Sequence, residues 1–181
     1  MTSLKTKHVV LGVCGSIAAY KAGDIIRRLQ ERNCEVTVIM TCEALQFITP
    51  LTLATLSGKN VYSDMFDKYF WRMAHIELSR AADAVLIAPA TANIIGKLAN
   101  GLADDLLTTF VVTCRAPVFI APAMNDDMYA NGMVRDNCAR LKKHGFKFIE
   151  PVRGKLACGD VGVGHLAEVE TIVKTILKEF K

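Results

Sequence analysis

The sequence predicts an α/β fold in which helices cover both faces of a central parallel sheet, a three-layer Rossmann-like arrangement. Short apolar runs alternate with amphipathic stretches of helical period along the 181 residues. The run 85–88 (VLIA) has no polar alternation, as is typical of a strand buried on both faces. At this length a single domain, residues 1–181, can bury a substantial core. The expected strands are residues 8–13, 36–40, 61–62, 85–88, 117–120 and 146–149.

Turn and cap residues indicate where the first helices begin and end. Ser16 follows the first strand and can cap a helix that ends at Asn33, with its apolar residues on one face. Thr49 and Pro50 begin a short helix, because proline suits the first turn, and Gly58 follows its end. These helices separate the first three strands, as an alternating α/β order requires.

Polar residues follow the fourth strand directly. Pro89 has no N–H to donate, so we expect the strand to stop there. Thr91 and Asn93 are short polar side chains that can cap a helix beginning at Ile94. The next helix, from residue 102, carries two aspartates in its first turn, where the helix dipole favours acids. The fourth strand therefore leads into hydrogen-bonding groups at the carboxyl edge of the sheet.

The last third of the chain contains a long helical stretch and a glycine-rich stretch. Residues 128–144 have helical sequence, and a final helix carries an apolar stripe that ends at Phe180. Four glycines lie within residues 154–164, around Cys158. We expect a mobile loop here, and we assign it as a lid at about residues 152–166.

The Rossmann strand order, 3-2-1-4-5-6, would bring several polar turns to one edge. The first strand would lie beside the fourth, so that the Gly15-Ser16 turn and the 89–93 turn flank the crevice where the order reverses. Thr41 ends the second strand, and Asn125 follows the fifth. Because open α/β sheets bind ligands at the carboxyl ends of their strands, we expect the site at this edge.

The first turn carries no dinucleotide or triphosphate motif. Residues 12–18 (GVCGSIA) are not GxGxxG, and no GxxxxGK[ST] occurs. The second strand ends in Thr41 rather than in an acid for a ribose, and Glu43 is a weak substitute. Ser16 at a helix N-terminus, with Thr41 nearby, suits one phosphate monoester. The turn therefore favours a mononucleotide such as FMN.

Composition argues against several classes of protein. The six cysteines are scattered without a CxxC pair, which favours free thiols in a reducing cytosol over a disulfide frame or a metal site. The net charge of +4 comes without a basic block, so nucleic acid is not an expected partner. No apolar run approaches the roughly 20 residues that span a bilayer, and no signal peptide precedes the first strand. We therefore expect a cytoplasmic protein without a membrane partner.

One segment, residues 64–73 (DMFDKYFWRM), mixes charges with four aromatic residues in no clean period. These aromatic side chains either pack a loop onto the core or form a surface that another subunit buries. The sequence alone leaves both interpretations open.

Five motifs resemble, in order and spacing, those of the flavin-containing cysteine decarboxylases. They are GSIAAYK, AHIELSRAAD, APATANIIGKLANGLADDLL, APAMNDDMY and GKLACGDVGVGHLAE. Thr91 stands where many members have serine, and Tyr129 stands where some have tryptophan, but each keeps the chemical character of its position. Within the family the resemblance is strongest to members that act on 4'-phospho-N-pantothenoylcysteine, and the single-domain length resembles their stand-alone form.

The resemblance implies a flavin site and three residues that act on the substrate. It implies a base at His75, a substrate clamp at Asn125 and a proton donor at Cys158. Arg80, one turn after His75, and Lys155 on the lid are our candidates for binding the anionic groups of the substrate. The residues implied to hold FMN, the last two near its ring, are Gly15, Ser16, Ile17, Thr41, Thr91, Ala92, Asn93, Ala123 and Met124.

Each acting residue also has an ordinary structural interpretation. His75 lies near a helix N-terminus, where the dipole favours a neutral imidazole, but a capping or core histidine fits the same spacing. Asn125 could simply cap the helix after the fifth strand. Cys158 could be an idle thiol, and Arg80 and Lys155 could be solvated surface charges. The motifs favour the functional interpretation for the first three.

The implied reaction explains the need for a flavin. Direct loss of CO2 from an N-acylated cysteine leaves a carbanion with no electron sink. Transient oxidation of the CH2–SH group to a thioaldehyde places an acceptor beta to the carboxylate, and re-reduction after CO2 loss gives 4'-phosphopantetheine for coenzyme A synthesis. In this scheme His75 helps to remove a proton, Asn125 orients the carboxylate and Cys158 protonates the enethiolate.

Several alternatives remain open. Relatives that decarboxylate peptides ending in cysteine, or that prenylate FMN, share the fold, although the APAMN and ACGD motifs favour the pantothenate substrate. A flavin-binding regulatory protein without catalysis is another, against which the intact His75, Asn125 and Cys158 argue. The resemblance also implies a homo-oligomer, either trimers or a dodecamer of trimers, in which His75 faces flavin bound mainly by a neighbouring chain.

Overall fold

The computed structural model describes residues 6–66, 74–155 and 159–180. The strands of its main sheet are β1 (Lys7–Val13), β2 (Cys34–Met40), β3 (Val61–Tyr62), β4 (Ala84–Ala90), β5 (Val118–Pro122) and β6 (Lys147–Phe148). They lie in the order β3-β2-β1-β4-β5-β6, and every neighbouring pair is parallel. The predicted strand order is confirmed.

Helices cover both faces of this sheet. They are α1 (Ala22–Gln30), α2 (Pro50–Ser57), α3 (Ala74–Ala81), α4 (Ala92–Ala99), α5 (Leu106–Thr113), α6 (Asp126–Ala130), α7 (Gly132–Lys143) and α8 (Val169–Leu177). Short 3-10 turns lie at Ile17–Lys21, Cys42–Gln46 and Lys178–Phe180. Helices α1, α2 and α8 pack on one face, and α3, α4, α5 and α7 pack on the other. The three-layer prediction is confirmed.

The strands are buried on both faces. Along β1, Val9, Leu11 and Val13 belong to the core on the α1 and α8 side, whereas Val10 belongs to the core on the α4 and α5 side. Every residue of β4 is buried, as its unbroken apolar run predicts. Both cores therefore draw on the same central strands.

The predicted end of β4 at Pro89 is wrong. The strand continues to Ala90, which pairs with Pro122 after an irregularity in the register. The missing N–H of Pro89 removes one donor, but its carbonyl oxygen still accepts a hydrogen bond from the Cys14 N–H at 3.3 Å. The strand therefore reaches two residues further toward the ligand-binding edge.

The predicted caps are confirmed in part. The Thr49 side chain caps α2 and Gly58 ends it at φ 69°, while the Ser16 side chain caps the 3-10 turn that precedes α1. The Thr91 hydroxyl accepts from the N–H of Ile94, so α4 begins at Ala92. Asn93 lies inside the first turn of α4 and is not its cap.

Two helical predictions are corrected by local capping. Asp105 accepts from the Thr108 N–H at 2.8 Å, which makes it the N-cap of α5, so neither aspartate lies in the first turn of that helix. The stretch 128–144 is divided because the Asn131 side chain accepts from the Met133 N–H at 2.9 Å and begins α7 there.

The glycine-rich stretch contains a hairpin instead of an irregular loop. Strands β7 (Val152–Lys155) and β8 (Val161–His165) pair antiparallel. Residues 156–158, including Cys158, lie outside the described residues. Gly162 and Gly164 occupy alternate positions of β8 and are both buried, so they share the face that packs on the turn after β5. The mobility of this segment stays a prediction.

Candidate functional site

Backbone hydrogen bonds hold the turns at the carboxyl edge of the sheet side by side. The turn after β2 is joined to β1, the turn after β1 to β4, and the segment after β5 to β4 and to β8. These bonds are Thr41 N–H to Val13 O at 3.0 Å, Cys14 N–H to Pro89 O at 3.3 Å, Ala123 N–H to Ala90 O at 3.0 Å, and Met124 N–H to Gly164 O at 3.0 Å. The predicted meeting of these polar turns is therefore observed.

A cavity of about 440 Å³ opens at this edge, between the 3-10 turn Ile17–Lys21 and the segment after β5, with the hairpin beside it. Six of the residues selected from the sequence line it: Ser16, Ile17, Ala123, Met124, Asn125 and Lys155. Gly15, Thr41 and the turn 91–93 lie at the same edge but outside the lining of this cavity. The structure thus groups six of the predicted residues around the cavity and places five more, Gly15, Thr41 and residues 91–93, at the same edge of the sheet.

Asn125 has both a structural and an open aspect. Its Oδ1 accepts from the Met128 N–H at 3.2 Å, which makes Asn125 the N-cap of α6, and its Nδ2 donates to Asp126 Oδ1 at 3.1 Å. The same residue lines the cavity. The capping interpretation and the ligand-binding interpretation are therefore compatible, because the residue that caps α6 also lines the cavity.

The cavity lining is largely apolar, and the charged side chains in it are basic. Lys21, Lys155 and His165 contribute to it, and no carboxylate does so among the residues that the structure describes. The His165 ring is held by a 3.0 Å contact between Nδ1 and the carbonyl oxygen of Leu166. A cavity of this character suits a ligand that carries negative charge.

Sequence reasoning missed Tyr20, Lys21 and His165. Tyr20 and Lys21 fall at the end of the GSIAAYK motif, in a stretch whose sequence predicts the start of a regular helix. The 3-10 turn rotates them toward the cavity instead, and Tyr20 stays 61% exposed. His165 was hidden in a stretch interpreted as a loop, although its two-residue spacing from Val163 was a usable strand signal.

The Thr41 hydroxyl is the unusual polar group of the site. It is buried, and its Oγ1 has no hydrogen-bond partner of good geometry within the described part of the chain. Glu43 is close by: the Cys42 thiol, the backbone N–H of Glu43 and the Thr41 hydroxyl together lower the pKa of the Glu43 carboxyl. Buried hydroxyls are normally satisfied, so Thr41 Oγ1 is a candidate to form a hydrogen bond with a ligand.

The thiol beneath the turn 91–93 is chemically quiet. Burial raises the pKa of Cys14 to about 12, although a backbone hydrogen bond near Thr91 opposes that rise. The thiol therefore stays protonated at neutral pH and supplies packing rather than a nucleophile.

Helix α3 carries two of the predicted residues in different places. His75 is its second residue, and nothing is described of that side chain. Arg80 lies near the other end of the helix, about 7.5 Å along the axis, and lines a groove with Asp83 and Arg115. The end of α3 that carries Arg80 leads into the amino end of β4, whereas the cavity lies at the carboxyl edge of the sheet. Arg80 therefore does not reach the cavity of its own chain.

Two further expectations concern metals and membranes. Within residues 6–66, 74–155 and 159–180, no group of three or more potential ligands could hold a metal ion, and the five described cysteines are free. In the same ranges, no helix is long and apolar enough to span a bilayer.

Comparison with known proteins identifies the family. The flavoprotein family matches residues 1–181, the whole chain. The chain belongs to the flavoprotein family. This confirms the class to which the resemblance pointed.

Curated relatives show which members of the family this chain is similar to. The coenzyme A biosynthesis bifunctional protein CoaBC of Bacillus subtilis is 48% identical over 178 residues, which are 98% of this chain and 44% of that protein. The probable phosphopantothenoylcysteine decarboxylase of Streptococcus mutans is 46% identical over 174 residues, covering 94% of this chain and 97% of that one. The chain thus spans less than half the length of the bifunctional relatives.

Solved structures agree with both the fold and the family. A PPC decarboxylase variant complexed with pantothenoylaminoethenethiol has a TM-score of 0.89 and 34% identity, covering 97% of this chain and 99% of that chain. The FMN-dependent cysteine decarboxylase SpaF has a TM-score of 0.85 and 29% identity, with coverage of 99% and 100%. The similarity therefore extends over the complete fold of both neighbours.

Proposed function

We propose that this chain catalyses the FMN-dependent decarboxylation of 4'-phospho-N-pantothenoylcysteine to 4'-phosphopantetheine, the reaction of a phosphopantothenoylcysteine decarboxylase. The observation that carries this proposal is the cavity at the sheet edge, which Asn125 lines together with the basic side chains of Lys21 and Lys155. The identity with the Streptococcus mutans relative and the match to PPC decarboxylase support the same substrate. The substrate carries two anionic groups, a phosphate and a carboxylate, and the cavity suits both.

The residues at the edge fit FMN. The buried Thr41 hydroxyl has no hydrogen bond of good geometry within the described residues, and Ser16 follows the neighbouring strand β1 at the start of a helical turn, where an anion is favoured. Exposed Asn93 and half-buried Thr91 add polar groups after β4. We assign the phosphate to the Ser16 turn with Thr41, and the ring to the turn 91–93 with Ala123 and Met124. When bound, FMN supplies a reversible acceptor for the two electrons that leave the cysteine CH2–SH group.

Two parts of the cavity bind the substrate anions in this proposal. The Asn125 amide donates to the carboxylate that leaves as CO2, since an amide N–H is a neutral donor that orients it without a permanent counter-charge. Lys155, with Lys21 and His165, binds the phosphate. The hairpin that carries Lys155 and His165 also limits the access of water to the reacting carbon.

His75 and Cys158 complete the proposal from the motifs. His75 removes a proton while the thiol is oxidised, and Cys158 protonates the enethiolate after CO2 leaves.

We propose that chains assemble as trimers, alone or grouped into a dodecamer, so that His75 meets flavin held by a neighbour. Arg80 would reach a substrate only across such an interface. Phe66, which belongs to the aromatic segment 64–73, is 81% exposed, and this exposure supports a surface that another chain covers. We also propose a cytoplasmic location, where free thiols persist.

The test uses the purified protein with its flavin. Incubation with 4'-phospho-N-pantothenoylcysteine should release one CO2 per 4'-phosphopantetheine formed, with no added metal. A peptide ending in cysteine serves as the competing substrate, and turnover of that peptide alone would replace the proposed substrate. Bound flavin without CO2 from either compound would indicate a binding protein and overturn the proposal.

A further inference from the structure

The amide of Asn125 is held by partners on both of its atoms. Its Oδ1 accepts from the Met128 N–H at 3.2 Å, and its Nδ2 donates to Asp126 Oδ1 at 3.1 Å. The cap fixes the position of the oxygen, and the second bond fixes the plane of the amide. Asp126 therefore helps to orient the amide N–H groups of Asn125.

Asp126 in turn occupies a space that only glycine leaves open. A Cβ added at Gly162 would lie 2.0 Å from Asp126 Oδ2, 2.4 Å from Cγ and 2.6 Å from Cβ. Two residues along the same face of β8, a Cβ at Gly164 would lie 2.1 Å from the Met124 carbonyl oxygen. The hairpin therefore rests directly on the turn that carries Asn125, with the half-buried Asp126 side chain packed against Gly162.

We infer that Asp126 is a positioning residue for Asn125, and that Gly162 of the hairpin provides the space which holds its carboxylate in place. This inference rests on the proposed role of Asn125 in binding the substrate carboxylate. It deepens that role, because the orientation of the amide then depends on the packing of the hairpin against residues 124–126.

The Asp126 carboxylate has two effects that substitution can separate: its oxygen positions Asn125, and its negative charge acts on the ligand. A carboxylate this close to a site for another carboxylate repels the ligand, so its charge opposes binding. Its useful property is the oxygen that accepts from Asn125 Nδ2. An amide in the same place keeps that acceptor and removes the repulsion, so Asp126→Asn should bind the substrate at least as well as the unchanged protein.

The experiment compares three variants of the flavin-loaded protein. Asp126→Ala removes the acceptor, Asp126→Asn keeps it, and Asp127→Ala is the matched control, since Asp127 is the other acid in the first turn of α6. We expect Asp126→Ala to lower kcat/KM for CO2 release about tenfold, as for one lost charge-assisted hydrogen bond. Asp126→Asn and Asp127→Ala should stay within about twofold of the unchanged protein.

Binding measurements distinguish positioning from general damage. The probes are the serine analogue of the substrate, which keeps the carboxylate, and 4'-phosphopantetheine, which lacks it. Asp126→Ala should weaken binding of the analogue about tenfold and leave the affinity for 4'-phosphopantetheine unchanged. Equal weakening of both ligands, or an equal effect of Asp127→Ala, would overturn the inference.

Substitution of the glycine tests the enclosed space from the other side. Gly162→Ala should reproduce the effects of Asp126→Ala, and Gly162→Ala combined with Asp126→Gly should cost no more than Asp126→Gly alone, because both changes act through one contact. Additive losses would contradict the inference. If the unchanged protein binds neither probe and releases no CO2, the proposed function fails instead.

Discussion

At the scale of single residues, Asn125 combines a structural role with a position in the candidate site. Its oxygen accepts from the Met128 N–H, one of the unpaired N–H groups at the start of α6, and the residue also lines the cavity. A capping side chain is held in place, because a rotation that breaks the cap costs about 1 kcal/mol of helix stability. In the proposed function, the Asn125 amide is therefore oriented before the substrate binds.

Replacing this amide should separate capping from catalysis. Asn125→Asp retains a good N-cap but sets a negative charge against the substrate carboxylate, so we expect bound FMN with CO2 release lowered roughly 100-fold or more. Flavin absorbance and CO2 release measure the two effects. Asn125→Ser caps without the charge and should lose less activity. Normal CO2 release by Asn125→Asp would remove Asn125 from the substrate site.

Cys158 belongs to the same scale, although it lies outside the described residues. If it acts only after CO2 loss, Cys158→Ser should still release CO2 and give a product two hydrogens short of 4'-phosphopantetheine. Mass spectrometry of the product distinguishes the two compounds. A normal product at the normal rate would show that the proton comes from another group.

At the scale of elements, the beginning of α5 is tied to α4 by charge. Asp105 caps α5, and Lys97 of α4 reaches both Asp104 and Asp105 at 2.9 Å. Burial would raise the pKa of the Asp105 carboxyl, but hydrogen bonds from Thr108 and Lys97 outweigh it and lower that pKa. The ionised form is therefore the one that stabilises the folded chain.

This linkage predicts a pH dependence. A carboxyl with a lowered folded-state pKa contributes fully above the ordinary aspartate pKa of about 3.9 and loses its contribution as the pH falls through the folded value. Asp105→Ala should lower the free energy of unfolding by about 1 kcal/mol at pH 7. Between pH 6 and pH 3, the free energy of unfolding of this variant should fall by less than that of the unchanged protein. Urea unfolding across this range measures it. Asp105→Asn, which keeps the cap, should lose less at pH 7, whereas an unaltered pH slope in both variants would contradict the assignment.

At the scale of the whole molecule, the site is an edge shared by several strands. Four turns meet there through backbone hydrogen bonds, and the hairpin packs against the last of them. His75 belongs to α3, which approaches this edge from the other face of the sheet than the cavity-lining turn Ile17–Lys21. That separation is consistent with the proposed contribution of His75 to a neighbouring chain.

Mixed oligomers test this proposal. Ser16→Asp should keep the cap of the 3-10 turn, since aspartate caps well, but expel FMN by placing an anion against its phosphate. Co-expression of Ser16→Asp chains with His75→Asn chains, each carrying a different tag, should restore part of the CO2 release that neither variant shows alone. Light scattering checks the assembly. An active monomer at micromolar concentration would contradict the composite site.

The sequence by itself determined the layered fold, the strand order and the edge that carries the site. Buried parallel strands require unbroken apolar runs, and the short polar residues after them are set by local capping, so both are visible in one dimension. Only the tertiary structure decided that Lys21 and His165 line the cavity, that Arg80 lies in a separate groove away from it, and that Asp126 packs against Gly162. These relations join residues far apart in the chain, and they depend on helix rotation and strand register rather than on local spacing.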